Sequence, residues 1–486
     1  MKKQFYDFRN FYLLMYEYIL VMKFINRYAE INFLTEKITS PSAELLILYG
    51  RRRIGKTELI QYFLENNTKG FYFLSRLESQ FDTFRRFNNQ LSMYFGDNAL
   101  LTNPLTNWDQ IFNYLSKISV KTTVIVIDEF QYMIERNPEI LSIMQDYWDS
   151  KLRLTKIKLV LLGSSISLMV KHTLDYGSPI YGRRTGQWQV ESLAPEHLFS
   201  FFPNYNILDI VETYGVIDTI PGYLALFDPS QSVIENVSKK ILSKGEFLYE
   251  EPLILLREEL RDPSNYTSIL SAIAGGLNSF NELYQKSGLD KSLLSKYLYI
   301  LEQLNLIEKI FTIEDSFKKK LKSKGLYKIK DNFIDFWFRF VYLNQQLLEL
   351  NKKKEVIEII QRDFSTYMGN KFEQFIFETL LTRPILKYSQ IGKWWQKDVE
   401  IDLIAENEKT LTATFIECKW QEQVDAKRII QQLEKKAENY SWNKNNRINN
   451  FMIFAKSFKS KTVVNLNEKI FLYDVHDVET LFRSKQ

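Results

Sequence analysis

The stretch LLILYGRRRIGKTELIQYF, residues 45–63, decides the fold. Leu45 to Tyr49 is a short apolar run of the kind that fills a strand buried on both faces. Two glycines then bracket four residues, Gly50-Arg51-Arg52-Arg53-Ile54-Gly55, and Lys56-Thr57 follow. That spacing turns successive backbone N–H groups inward, where they cradle phosphate oxygens. Lys56 is expected to reach the terminal phosphates of a nucleotide, and the Thr57 hydroxyl to ligate Mg2+. A helix opening at about Lys56, with Glu58 in its first turn, brings its positive dipole end to the same place. The expected nucleotide-binding run is therefore Gly50 through Glu58. Within it Arg51, Arg52 and Arg53 are solvated, on phosphate, or turned to a partner.

A site that hydrolyses a nucleotide needs a second strand ending in acid. TTVIVIDEFQYM (122–133) supplies it, with Val124 to Ile127 as the strand. Asp128 is expected to hold Mg2+ through its water shell. Glu129 is expected to orient and deprotonate the attacking water. Strand-end acids also cap helices, but the loop upstream favours the catalytic reading. A third apolar run, Lys158 to Leu162, ends in Gly163-Ser164-Ser165. Ser164 there senses the terminal phosphate or positions the water; otherwise it is an ordinary turn serine. Further on, Arg183 and Arg184 precede another strand-like run, Gln187 to Val190. They either stabilise charge at the γ-phosphate or make a basic loop.

Composition bounds what surrounds this site. A chain of 486 residues, 45% hydrophobic, is long enough for two to four domains with packed cores. Its one cysteine, Cys418, excludes a disulfide framework and fits a reducing compartment. Three scattered histidines exclude a histidine-rich metal site, and a net charge of +5 makes any nucleic-acid surface a local one. FYLLMYEYILVMKF (11–24) is apolar but short and carries Glu17, which makes it a poor membrane span. It also lacks a small-residue cleavage site. The expectation is a cytoplasmic protein without membrane contact, residues 1–21 being an extension ahead of Met22.

At this point the motifs carry a resemblance. FINRYAEINFL (24–34), GRRRIGKTEL (50–59), VIVIDEFQYM (124–133), LLGSS (161–165), YGRRTGQWQV (181–190) and IPGYL (220–224) follow one another in an order similar to that of the archaeal-type ATPases. These are a branch of the STAND NTPases, within the additional-strand P-loop class related to AAA+ proteins. The resemblance covers roughly residues 22–345. It implies an α/β fold with a five-stranded parallel core, a helical lid and a winged helix. It also implies that Arg27, in the box before the first strand, lies near the nucleotide. The chain departs from the family pattern at Ile220, where a second glycine usually precedes the proline.

The winged helix is also legible from the residues alone. In SILSAIAGGLNSFNELYQKSGLDKSLLSKYLYILEQLNLIEKI (268–310), Ser287-Gly288 makes a turn. Leu294, Tyr297, Leu298 and Leu301 then recur at helical spacing, a helix–turn–helix rhythm. Ser292, Ser295 and Lys296 would occupy the outer face of the second helix, where a DNA reader puts its base contacts. SFKKKLKSKGLYKIK (316–330) holds seven lysines, and Lys318, Lys319, Lys320 and Lys322 could clamp phosphates as a wing. Alternatively the module is an intramolecular lever. LYKIKDNFIDFWFRFVYLNQ (326–345) reads as a packed aromatic hinge, since its crowded apolar residues need burial.

The C-terminal region holds a second constellation. GNKFEQFIFETLL (369–381) reads as a helix bearing Glu373, and VEIDLIAE (399–406) as a strand bearing Asp402. TATFIECKWQ (412–421) is another strand, and period-two geometry puts Glu417 and Lys419 on one face. Such acids hold Mg2+ and a neighbouring lysine positions water; the metal ligands would be Asp402 and Glu417. The pattern resembles the PD-(D/E)xK nuclease fold, a restriction-endonuclease-like α/β domain. The bland alternative is a cross-strand salt bridge, against which stands the cost of acids buried within apolar strands.

The expected organisation is an extension (1–21), a P-loop ATPase core (22–200), a helical lid (201–262), a winged helix (263–325), an aromatic hinge (326–368) and a nuclease-like domain (369–486). The expected function is an ATP- and Mg2+-dependent switch acting on DNA, with a protein partner or self-association left open. The alternatives are a nucleotide-locked scaffold and a DNA-binding transcriptional regulator, each with cleavage lost.

Overall fold

The computed structural model describes residues 24–260, 262–314, 325–383, 385–461 and 469–483. The chain divides into two compact units, Met1–Ser192 and Leu193–Gln486. The extension 1–21 and the lysines Lys318, Lys319, Lys320 and Lys322 lie outside the described residues. Among the described residues no helix is long and apolar enough to cross a membrane.

The first unit is built on five strands: β1 (Glu44–Tyr49), β2 (Phe71–Leu74), β3 (Thr123–Asp128), β4 (Ile157–Gly163) and β5 (Gly186–Gln189). They form one sheet in the order β2-β3-β4-β1-β5, with every neighbouring pair parallel. One additional strand, β4, thus stands between the loop-bearing strand and the acid-bearing strand. The three inner strands are continuous apolar runs because both of their faces are covered. Leu45, Ile47, Ile125, Ile127, Leu159 and Leu161 share a core with Phe84, Phe87, Trp108 and Phe112. Lys158 interrupts the run on β4 and is fully buried. Its Nζ donates to the Ser40 carbonyl at 2.8 Å and to Ser40 Oγ at 2.9 Å, so the charge is not left bare.

Register aligns the strand ends. Tyr49 pairs with Gly163, and Ile127 with Leu161. Gly50 and Ser164 therefore emerge level, with Asp128 at the end of β3 two residues short of them, at the carboxyl edge of the sheet, where parallel α/β folds place their ligands.

The second unit begins with helices, among them Ile207–Ile217 and Phe247–Glu259. Pro221 opens the short helix Pro221–Leu224, a position where its missing N–H costs nothing. Three helices follow, Ser264–Ala274, Phe280–Ser287 and Lys291–Gln303, then the antiparallel pair β6 (Ile307–Ile310) and β7 (Leu326–Ile329). Local chemistry sets their ends. Ser279 and Glu282 form a capping box, Gly288 stops the helix at φ +66°, and Asp290 caps the next. Leu294, Leu298 and Leu301 are buried, while Ser292, Ser295 and Lys296 are exposed. The aromatic stretch packs inward: Phe333, Phe336, Trp337, Phe338 and Phe340 are buried.

A single helix, Lys353–Thr382, then runs across residue 368 into the C-terminal sheet region. That sheet consists of β8 (Gln390–Gln396), β9 (Val399–Asn407), β10 (Thr412–Lys419), β11 (Ile448–Ala455) and β12 (Lys469–Asp474), in the order β12-β11-β10-β9-β8. It is antiparallel from β8 to β10 and parallel from β10 to β12. The parallel step from β10 to β11 spans the helix Ala426–Ala437, whose Ile430 and Leu433 join Phe415, Phe451 and Ile453 in one core.

Candidate functional site

The loop after β1 owes its shape to two glycines with different tasks. A Cβ on Gly50 would lie 2.4 Å from the Val190 carbonyl oxygen, so the backbone approach itself demands glycine. Gly55 has open space around it, but its φ of +93° is a region that side chains avoid. It caps the helix Lys56–Asn66 and aims that helix's first N–H groups into the loop. Arg53 also adopts positive φ, +64°.

Lys56 is 6% exposed and donates to the carbonyls of Gly50 and Arg51, both at 2.8 Å. Burial pulls its pKa down to about 8, against Glu129, Asp128 and Glu58, which hold it up. Thr57 Oγ1 donates to Asp128 Oδ2 at 2.7 Å, bringing the loop helix and β3 together. The same oxygen accepts from the Tyr72 hydroxyl at 2.8 Å, and Asp128 Oδ1 accepts from the Glu129 N–H at 2.8 Å. Burial pushes the Asp128 carboxyl up, and the bonds from Thr57 and Tyr72 pull it back. Thr57 and Asp128 are hard oxygen donors in contact, a set that suits Mg2+.

Glu129 sits at φ +53° and begins the helix Phe130–Arg136. Ser164 Oγ donates to its Oε2 at 2.6 Å. Gln131 Nε2 donates to that same carboxylate and, at 3.0 Å, to Ser164 Oγ. The serine after β4 is thus joined to the acid after β3. Gln131 and Tyr72 escaped the sequence reading. The only signal for Gln131 was its place two residues beyond Glu129; for Tyr72 there was none, since nothing local says that β2 neighbours β3.

The arginines are distributed differently. Arg27, at φ +79° and 6% exposed, donates to the carbonyls of Ile54 and Glu191, each at 2.7 Å, and pairs with Glu30 at 3.1 Å. It clamps the loop from behind by its backbone. Arg52 Nη2 meets the Tyr132 hydroxyl at 3.1 Å. Arg183 spends its guanidinium on Asp149, 2.7 Å away, and on the Pro179 carbonyl. Arg184 donates to the Tyr181 carbonyl at 3.0 Å and stacks on the Tyr181 ring at 4.6 Å.

The C-terminal constellation assembles from three elements. Asp402 and Glu417, on β9 and β10, are 7% and 6% exposed. Asp402 Oδ2 accepts from the Cys418 N–H at 2.7 Å. Its pKa is pushed up to about 8 by burial first, then by the nearby Glu373 and Glu417. Each outer acid carries lysine: Glu373 pairs with Lys393 at 2.7 Å, and Glu417 with Lys419 at 2.6 Å and Lys436 at 3.1 Å. Lys393 and Lys436 were not singled out in the sequence, because they come from β8 and from the helix after β10. Among the described residues no three ligating side chains converge. Mg2+ is commonly held by one or two carboxylates, with waters and substrate phosphate completing its shell; of the expected pair, Asp402 is engaged by the Cys418 N–H and Glu417 by Lys419 and Lys436.

Two family models match the chain: an ATPase domain predominantly from Archaea over residues 24–227, and archaeal and bacterial proteins of unknown function over residues 337–430. The uncharacterised protein MJECL04 of Methanocaldococcus jannaschii is 36% identical over 422 residues, covering 85% of this chain and 92% of its own. Among solved structures, the Walker-type ATPase PABY2304 of Pyrococcus abyssi is similar with a TM-score of 0.49 and 21% identity, over 65% of this chain and 96% of that one. A STAND protein with a tetratricopeptide repeat sensor, PH0952 of Pyrococcus horikoshii, gives 0.31 and 16%, over 75% of this chain and 50% of that one.

Proposed function

Since the chain belongs to the same family as MJECL04 and residues 24–227 match an ATPase domain, we propose that it is an ATP-hydrolysing switch acting on DNA. Its nucleotide state would bear on a winged helix and on a nuclease-like C-terminal domain. The observation that carries the ATPase part is the 2.7 Å bond between Thr57 and Asp128, with Glu129 next in sequence and bonded to Ser164.

Lys56 supplies positive charge to the terminal phosphates, and the backbone N–H groups between Gly50 and Lys56 bind their oxygens. Thr57 and Asp128 would hold Mg2+, which neutralises phosphate charge when bound. A water oxygen attacks the γ-phosphorus, its proton passes to the Glu129 carboxylate, and the bridging oxygen leaves on ADP. Ser164 fixes where that carboxylate points.

The DNA part is supported by the three capped helices followed by an antiparallel pair, by the exposed Ser292, Ser295 and Lys296, and by the acids Glu373, Asp402 and Glu417 gathered with Lys419. A cytoplasmic location fits this reading. A second reading has its own observation. The lysines on Glu373 and Glu417 neutralise those acids internally, as in a scaffold that binds DNA or protein without cutting it.

The test is Glu129→Gln. The amide keeps the shape and cannot take the proton, so ATP binding is expected to persist while turnover falls by about a hundredfold. Unchanged turnover would remove Glu129 from the role of base.

A further inference from the structure

We infer that Gln131 is a positioning residue for ATP hydrolysis, acting through Glu129 and Ser164. This rests on the ATPase reading above and extends it to a residue that the motif reading gave no role. Three hydrogen bonds close a ring: Ser164 Oγ to Glu129 Oε2 at 2.6 Å, Gln131 Nε2 to Ser164 Oγ at 3.0 Å, and Gln131 Nε2 to Glu129 Oε2. One primary amide thus spends both of its N–H groups on the acid and on the hydroxyl that orients the acid.

Burial encloses two of the ring's three residues. Gln131 is 1% exposed and Ser164 2%. Room for the amide exists because residue 163 has no side chain. A Cβ on Gly163 would stand 2.9 Å from Gln131 Oε1 and 2.2 Å from the Met169 side chain. Gln131 Oε1 is buried without a hydrogen-bond partner among the described residues, a cost tolerated here while the N–H side of the amide is fully used.

A glutamate side chain has three rotatable bonds, and a general base works only within reach of its proton. Ser164 alone fixes one oxygen by one bond, about which the carboxylate can swing. The second donor from Gln131 converts that contact into a fixed orientation. Because Gln131 also holds Ser164, the acid and the serine move together.

The experiment replaces Gln131 in the full-length protein with Leu and, separately, with Met, which keeps the length and loses both N–H groups. Single-turnover and steady-state ATP hydrolysis, ATP affinity by calorimetry and the thermal midpoint are measured for each. The expected result is a kcat lower by about tenfold or more, with affinity and midpoint unchanged. In a Glu129→Gln background the same replacements are expected to cost nothing further, because the group they position is gone. A kcat equal to wild type, with Glu129→Gln still slow, overturns the inference and leaves the ATPase reading standing. So does a loss that persists undiminished beside Glu129→Gln, or a large drop in midpoint for both replacements, either of which marks a packing role. A wild type that never hydrolyses ATP overturns both.

Discussion

At the residue scale, the loop shows how one position is specified by several constraints at once. Gly50 is excluded from substitution by the Val190 carbonyl 2.4 Å from where a Cβ would stand, Gly55 by its φ of +93°. Arg27 lies where the archaeal ATPase pattern puts an arginine near the nucleotide, and its contacts are with the Ile54 and Glu191 carbonyls. Its bearing on the loop is therefore through backbone. Lys56 has no substitute of this kind, since it supplies charge. Lys56→Ala is expected to weaken ATP binding more than tenfold, read by calorimetric titration; wild-type affinity would sink the nucleotide site.

At the scale of elements, the second unit is stitched by a buried polar junction. Asp218, at φ +63°, accepts from the Asn332 N–H at 2.8 Å. Lys371, on the helix Lys353–Thr382, donates to Asn332 Oδ1 at 2.9 Å. The Tyr367 hydroxyl donates to the Gly215 carbonyl at 2.7 Å. The helix Ile207–Ile217, the short helix Asn332–Phe336 and the long helix are thereby held together. Asp218 pays for its place: burial, then Asp331 and Glu378, push its carboxyl up to about 7 from 3.8. The folded state keeps that proton where the unfolded chain has released it. Between about pH 4 and pH 7 the unfolded state therefore binds fewer protons, and this group's contribution to stability falls as pH rises. Asp218→Asn removes the titration. The variant's unfolding free energy minus that of wild type, read from urea titrations, is expected to grow from pH 4 to pH 7, by an amount on the order of a few kcal/mol at most. A difference independent of pH would deny Asp218 its raised pKa.

For the molecule as a whole, the question is what ATP is used for. If the C-terminal domain cuts DNA, Asp402→Ala and Lys419→Ala are each expected to eliminate Mg2+-dependent cleavage of plasmid or single-stranded DNA and to leave ATP turnover intact. Cleavage is also expected to differ between wild type and Glu129→Gln, because a switch biases its output through contacts that depend on its state. Cleavage indifferent to that variant would mean two independent activities on one chain. Binding without cleavage by the wild type would return the scaffold, with the lysines on Glu373 and Glu417 as its physical basis.

The sequence by itself determined whatever is local. The spacing from Gly50 to Thr57 contains its own geometry, because a turn and the helix after it are set by adjacent residues. The runs Leu45 to Tyr49 and Val124 to Ile127 announce strands because burial on both faces needs unbroken apolar residues. The turn at Ser287-Gly288 is set locally too, by a glycine at φ +66°. Only the tertiary structure decided what lies across from what. Strand order put β4 between β1 and β3 and so brought Ser164 to Glu129, 35 residues away, and Tyr72 to Asp128. It also gave Lys393 and Lys436 to acids on other elements, and Arg183 to Asp149. A side chain's type fixes which partners it can accept; the pairing is set by register and packing summed over the whole sheet, which no short window of sequence contains.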